Sequence, residues 1–214
     1  MLRRLQLDGL VMPPPLIGLT GPAGSGKTLA AQTLAALGFQ VFSLDDAAHR
    51  ILDDTAVKPQ LVSEFSTAII RVTDGTVSRK KLGKIVFSDR EELLRLNAIV
   101  HPPLAEAARR WMEDIRERGV PGVVEGALVY ELGLAPSLDA VILVDAPVEL
   151  RVRRLERSRG WDINKLRFID AAQLPLEDKI SRGALPVRNT GAPFELSDRI
   201  KAILEEKHWL PTTK

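Results

Sequence analysis

The chain has 214 residues, 45 % of them hydrophobic and 27 % charged, which excludes a disordered chain or a fibre and fits one compact domain with room for a small insertion. A formal net charge of +2 is too small for a nucleic-acid-binding surface, and the absence of cysteine excludes disulfides, thiolate metal sites and cysteine nucleophiles. No apolar run approaches the roughly 18 residues of a membrane span, so a soluble cytoplasmic protein without membrane or nucleic-acid partners is expected.

Residues 1–11 are short, mixed in charge and followed by Met12 and three prolines. They read as an extension, with Met12 as an alternative start. The run 16–20 is apolar and ends in a glycine-rich turn, as a buried strand does. Residues 27–37 are rich in Ala and Leu and predict a helix, closed by Gly38 where positive φ is wanted. A second strand is expected at 39–43. Strand, loop, helix and strand form a βαβ unit, which requires a parallel sheet and a right-handed crossover.

Residues 46–118 have another texture, mostly helical with no strong strand. Helices are predicted at 91–100 and 104–118, with Pro102-Pro103 breaking the chain between them. Strands resume at 122–125 and 140–145. A basic helix at 148–157, two further helical pieces, a strand at 185–189 and a helix at 195–207 complete the reading. The expected fold is α/β, a five-stranded parallel sheet with flanking helices of the P-loop, nucleoside-monophosphate-kinase-like type. The core comprises residues 1–45 and 119–214, with a lid at about 154–168. Residues 46–118 form an inserted helical substrate domain.

The chemistry begins with Gly21-Pro22-Ala23-Gly24-Ser25-Gly26-Lys27-Thr28, which satisfies G-x-x-x-x-G-K-[ST] between a predicted strand and a predicted helix. Glycines let backbone N–H groups turn inward around an anion, and the helix that follows presents its positive end. Gly21, Gly24, Ser25, Gly26, Lys27 and Thr28 are therefore expected to hold ATP. Lys27 reaches the β- and γ-phosphates and the Thr28 hydroxyl binds Mg²⁺. The pattern is shared by GTPases, motor-type ATPases and small-metabolite kinases. The chain has no N-K-x-D guanine motif, which favours a small-molecule kinase.

Asp45 and Asp46 follow the second strand, at the carboxyl edge where α/β sheets bind ligands. A proton acceptor for an attacking hydroxyl, a holder of Mg²⁺-bound water or a helix N-cap is consistent with that position. Arg50, four residues after Asp46, shares its helix face. Arg79 is a second candidate for an anionic substrate.

On these residues the chain resembles the dephospho-CoA kinases, from Leu16 to about Leu204. The resemblance rests on Ile17-Gly18-Leu19-Thr20-Gly21 with the phosphate loop and on Asp46 with Arg50. Its longest part is the pair of stretches 78–87 and 96–102, SRKKLGKIVF and LNAIVHP. Gln173-Leu174-Pro175 with Lys179, and Asn189, resemble the closing motifs. The resemblance implies transfer of the ATP γ-phosphoryl group to the ribose 3′-hydroxyl of dephospho-CoA, the last step of coenzyme A synthesis. It implies Asp46 as base, Arg50, Arg79 and His101 at the substrate, and Asn189 and a lid arginine at the nucleotide. Arg154 is taken as the lid arginine from among Arg154, Arg157, Arg159 and Arg167. His101 reads equally as a structural histidine.

The chain departs from the family's pattern at Pro22-Ala23, at Leu44 in place of a first aspartate, at Ala127-Leu128-Val129-Tyr130-Glu131 and at Ser158-Arg159-Gly160. The competing readings are another small-metabolite or nucleotide kinase on this scaffold, and a nucleotide-binding protein without turnover.

Overall fold

The computed structural model describes residues 5–7 and 10–210. Residues 1–4, part of the segment read as an extension, lie outside the described residues. Within that segment β1 (Leu5–Leu7) pairs antiparallel with β2 (Leu10–Met12).

Five strands build the main sheet: β3 (Leu16–Thr20), β4 (Gln40–Ser43), β5 (Gly122–Glu125), β6 (Ala140–Asp145) and β7 (Ala184–Arg188). All pair in parallel, in the order β4-β5-β3-β6-β7. The five-stranded parallel sheet with flanking helices is the predicted one. β3 and β4, the two strands of the first βαβ unit, are not neighbours. β5 lies between them, so the carboxyl ends of β3, β5 and β4 stand side by side.

Alternation along the strands divides the core. Ile17, Leu19, Val123, Ile142, Val144 and Val187 face α1 (Lys27–Ala36) and α9 (Pro193–Glu206). Leu16, Val124, Val141 and Leu143 face α2 (Leu44–Ile51) and the second half of α5 (Arg90–Arg118). A separate cluster built on Leu61, Ile69, Val77, Leu82 and Val100 joins α3 (Lys58–Phe65), α4 (Arg79–Val86) and the first half of α5.

Helix α5 corrects the expected break. It runs unbroken through Pro102 and Pro103. Each proline lacks an N–H and costs about 3 kcal/mol in a helix interior. Burial offsets that cost. Val100 anchors the first half in the outer cluster, and Leu104, Ala105, Ala108, Met112 and Ile115 anchor the second half under the sheet. The prolines fall at the junction of the two clusters.

After β6 the chain forms α6 (Val148–Arg159), α7 (Ile163–Ala171) and α8 (Leu176–Ser181) before β7. Gly160 ends α6 at φ 63°.

Candidate active site

The phosphate loop bridges β3 and α1. Gly21 and Gly26 have φ of 143° and 108°, and neither tolerates a side chain. A Cβ on Gly21 would lie 2.0 Å from the Val144 carbonyl oxygen, and one on Gly26 would lie 2.2 Å from Asn189 Nδ2. The glycines thus bring the loop against β6 on one side and the end of β7 on the other. Asn189 Nδ2 donates to the Ser25 carbonyl at 2.7 Å. Arg154 donates to the carbonyls of Gly24 (3.2 Å), Ser25 (3.4 Å) and Asn189 (3.3 Å). With carbonyls tied outward, the N–H groups of Gly24, Gly26, Lys27 and Thr28 donate to no backbone carbonyl among the described residues. The buried Ser25 hydroxyl also has no partner among the described residues. Free donors at a helix N-terminus fit the phosphates of a nucleotide.

Lys27 folds back over the loop and donates to the carbonyls of Gly21 (2.8 Å) and Pro22 (3.2 Å). Burial lowers its pKa, opposed by the negative charges of Glu125 and Asp45. Ser43, the residue before α2, caps that helix by accepting from Asp46 N at 3.2 Å. The aspartates are therefore not the cap. Both stand exposed in the first turn of α2, at the carboxyl edge of β4. Glu125 ends β5 in register with Leu19 of β3 and Ser43 of β4. Burial raises its pKa, Lys27 opposes the rise, and Asp45 and Asp46 reinforce it. Glu125 completes an acidic group around Lys27, and the sequence reading missed it. Its signal was the rule applied to Asp45 and Asp46: a carboxylate at the carboxyl end of a parallel strand.

Arg79, the first residue of α4, is fixed by a 2.9 Å contact between its Nη1 and His49 Nδ1 on α2. Burial and the Arg79 charge lower the His49 pKa, which suits a neutral imidazole accepting from the guanidinium. Arg50 is exposed on the same helix as Asp46.

The family model for dephospho-CoA kinase matches residues 15–194. The dephospho-CoA kinase of Geobacter sulfurreducens is 35% identical over 88% of this chain and 96% of its own length. That of Thermobifida fusca is 36% identical over 89% of this chain and 94% of its own. The chain belongs to the dephospho-CoA kinase family. A crystal structure of a Thermus thermophilus protein, 35% identical, superposes with a TM-score of 0.70 over 91% of this chain and 98% of that one.

Around this kinase-family core lie two buried ion pairs that sequence reasoning missed as pairs. Lys179, 1 % exposed, donates to Glu131 Oε1 at 3.0 Å and to the Ala127 carbonyl at 2.9 Å. Glu131 Oε1 also accepts from Leu174 N at 2.8 Å. The family-like Lys179 and Gln173-Leu174-Pro175 thus hold the segment after β5 to α8. Arg151, 4 % exposed, is paired with Asp170 between α6 and α7. The pair borders a cavity of about 320 Å³ with Pro22, Asp145 and Gln173.

His101 lies on α5 at the proline junction, half-buried, with Nε2 unpartnered among the described residues. Burial lowers its pKa and the charge of Glu131 raises it. Glu131 Oε2 is likewise buried without a partner among the described residues. Of the four arginines weighed for the nucleotide, Arg154 is occupied by loop carbonyls. Arg159 is the one whose charge acts on both Lys27 and His49. Among the described residues no helix is long and apolar enough to cross a membrane.

Proposed function

We propose that this protein transfers the γ-phosphoryl group of Mg-ATP to the ribose 3′-hydroxyl of dephospho-CoA, giving coenzyme A and ADP in the cytoplasm. The observation that carries this reading is the juxtaposition, within a dephospho-CoA kinase-family chain, of a donor-lined phosphate loop with carboxylates at the ends of β4 and β5. The free N–H groups of Gly24, Gly26, Lys27 and Thr28 would hold the phosphates. The Thr28 hydroxyl, with Glu125 and Asp45 behind it, would hold Mg²⁺. Among the described residues no three His, Asp or Glu side chains form a cation cage. That suits an ion bound mainly through phosphate oxygens and water. Bound ATP supplies the phosphoryl group and, with its metal, withdraws charge from it.

Asp46 would orient the 3′-hydroxyl and take its proton as the new O–P bond forms and the bond to the β-phosphate oxygen breaks. Lys27 would leave its contacts with Gly21 and Pro22 to meet the negative charge of the transferring group. Asn189 and Arg154 would shape the nucleotide end from outside the loop. Arg50, Arg79 and His101 would bind the acceptor, and residues 46–118 would form its domain. The α6–α7 segment at about 154–168 would close over the phosphates and exclude water.

The test is incubation with Mg-ATP and dephospho-CoA, with coenzyme A measured by mass spectrometry beside Lys27→Ala. Loss of one preorganised cation is expected to slow transfer about a hundredfold. Absence of coenzyme A from the unmutated protein would refute the assignment, and a loss below about threefold in Lys27→Ala would refute the role of the loop.

A further inference from the structure

Where α6 turns into α7, Trp161 begins a chain of ring contacts that reaches Phe87 through Lys165. The Arg159 guanidinium lies 5.3 Å from the Trp161 ring centroid. Lys165 Nζ lies 4.7 Å from that centroid and 5.3 Å from the centroid of Phe87. Phe87 meets Phe168 edge-on, at 6.5 Å and 86°. Arg159, Trp161, Lys165 and Phe168 belong to the α6–α7 segment, whereas Phe87 is the C-cap of α4, the helix that begins with Arg79. Phe87 is 40 % exposed although it is a large hydrophobic residue. Its burial against its own helix bundle therefore does not explain its presence.

Neither Arg159 nor Lys165 has a carboxylate within salt-bridge distance among the described residues. Among the described residues, the two cations meet ring faces and no fixed anion. A ring contact of this kind is weak enough to open and strong enough to bias a segment.

The geometry points to Trp161 as a positioning residue: with Phe87 and the shared Lys165 it latches the α6–α7 segment onto α4 and thereby fixes the position of Arg159 at the end of α6. The helices that carry Arg79 and the segment that carries Arg159 then move as one. An acceptor that orders α4 places the cation, and in its absence the cation is placed poorly. The latch makes phosphoryl transfer depend on an occupied acceptor site and slows the loss of ATP to water. This rests on the kinase reading above.

The experiment compares the unmutated protein with Trp161→Ala, Trp161→Phe, Phe87→Ala and the double variant Trp161→Ala/Phe87→Ala. It measures coenzyme A formation and, without acceptor, ADP formation. Each single alanine variant is expected to lower kcat roughly 3- to 30-fold, with the KM for ATP changed less than about twofold. The double variant should be little slower than either single, Trp161→Phe should restore most of the rate, and thermal midpoints should shift by less than about 3 °C. The difference in emission between the unmutated protein and Trp161→Phe isolates the Trp161 indole. It should change on addition of dephospho-CoA, and the change should vanish in a Phe87→Ala background. Multiplicative rate losses, or an unchanged kcat in Trp161→Ala, would overturn the latch. If the unmutated protein makes no coenzyme A, the acceptor assignment fails by itself. The latch is then decided by Trp161 emission with Mg-ATP alone: dependence on Phe87 supports it and independence overturns it.

Discussion

Substituting Lys179 by Met tests how the ion pair of Lys179 with Glu131 supports the site. Lys179 Nζ has two partners, Glu131 Oε1 at 3.0 Å and the Ala127 carbonyl at 2.9 Å. The Ala127 oxygen keeps a donor without it, since Thr20 Oγ1 donates there at 3.2 Å. Leu174 N keeps its bond to Glu131. The loss falls almost wholly on Glu131, whose side chain is 13% exposed and would be left charged with no cation beside it. Breaking one half of a buried pair costs about 3–5 kcal/mol. At roughly 2.1 cal/mol/K per residue, a chain of this length unfolds with about 0.45 kcal/mol/K, so the midpoint should fall by about 7–11 °C. Adding Glu131→Gln removes the stranded charge and keeps an acceptor for Leu174 N. It should recover at least about a third of the loss. Calorimetric unfolding of the two singles and the double provides the cycle. A fall below about 2 °C in Lys179→Met, or strictly additive effects, would refute a buried, coupled pair.

Three further substitutions probe the site. Glu125→Gln should raise the thermal midpoint of the free protein by about 1–4 °C while cutting kcat on the order of a hundredfold. Because burial raises the Glu125 pKa, the folded state holds a proton that the unfolded state has released. Stability therefore falls as pH rises from the ordinary carboxylate value through the raised one. The gain from Gln should be full at neutral pH and gone in acid, and melts across that range check it. Gly26→Ala drives a Cβ into Asn189 and strains φ 108°; it should lower kcat/KM more than about tenfold, with loss of the Asn189–Ser25 bond read as a lower midpoint. Asp46→Asn should cut kcat by about 100- to 10,000-fold with ATP affinity unchanged, as measured by single-turnover rates and calorimetric binding.

The strands at 16–20, 122–125 and 140–145 were legible because each centres on buried aliphatic residues and is bounded by turn residues. Their lateral order was not, since nothing in a strand's own pattern says which neighbour it takes. That is how β5 came to lie between β3 and β4. Proline chemistry alone ended the predicted helix at residue 100. The helix continues because its two halves are gripped by two clusters that only the folded chain brings together. The turn between β3 and α1 that carries the phosphate-loop motif was legible because its residues are contiguous. Glu131 with Lys179 and Arg151 with Asp170 were not, because each pair joins residues far apart in sequence whose burial leaves no local mark.

The charges at the carboxyl edge stand there at a cost to the free protein. Burial pushes the pKa of Lys27 down and that of Glu125 up, so each charged form is disfavoured where it stands. Their mutual attraction offsets this only in part, because Asp45 and Asp46 crowd Glu125, and Lys179 and Arg159 crowd Lys27. A ligand that brings a cation toward the carboxylates and anionic oxygens toward Lys27 and the loop N–H groups satisfies both halves at once. A metal-bound polyphosphate has that charge distribution; a neutral or purely cationic ligand does not. Binding then draws on strain already present in the folded chain. The substitutions that relax this strain should therefore stabilise the free protein in proportion as they weaken the transfer of phosphate.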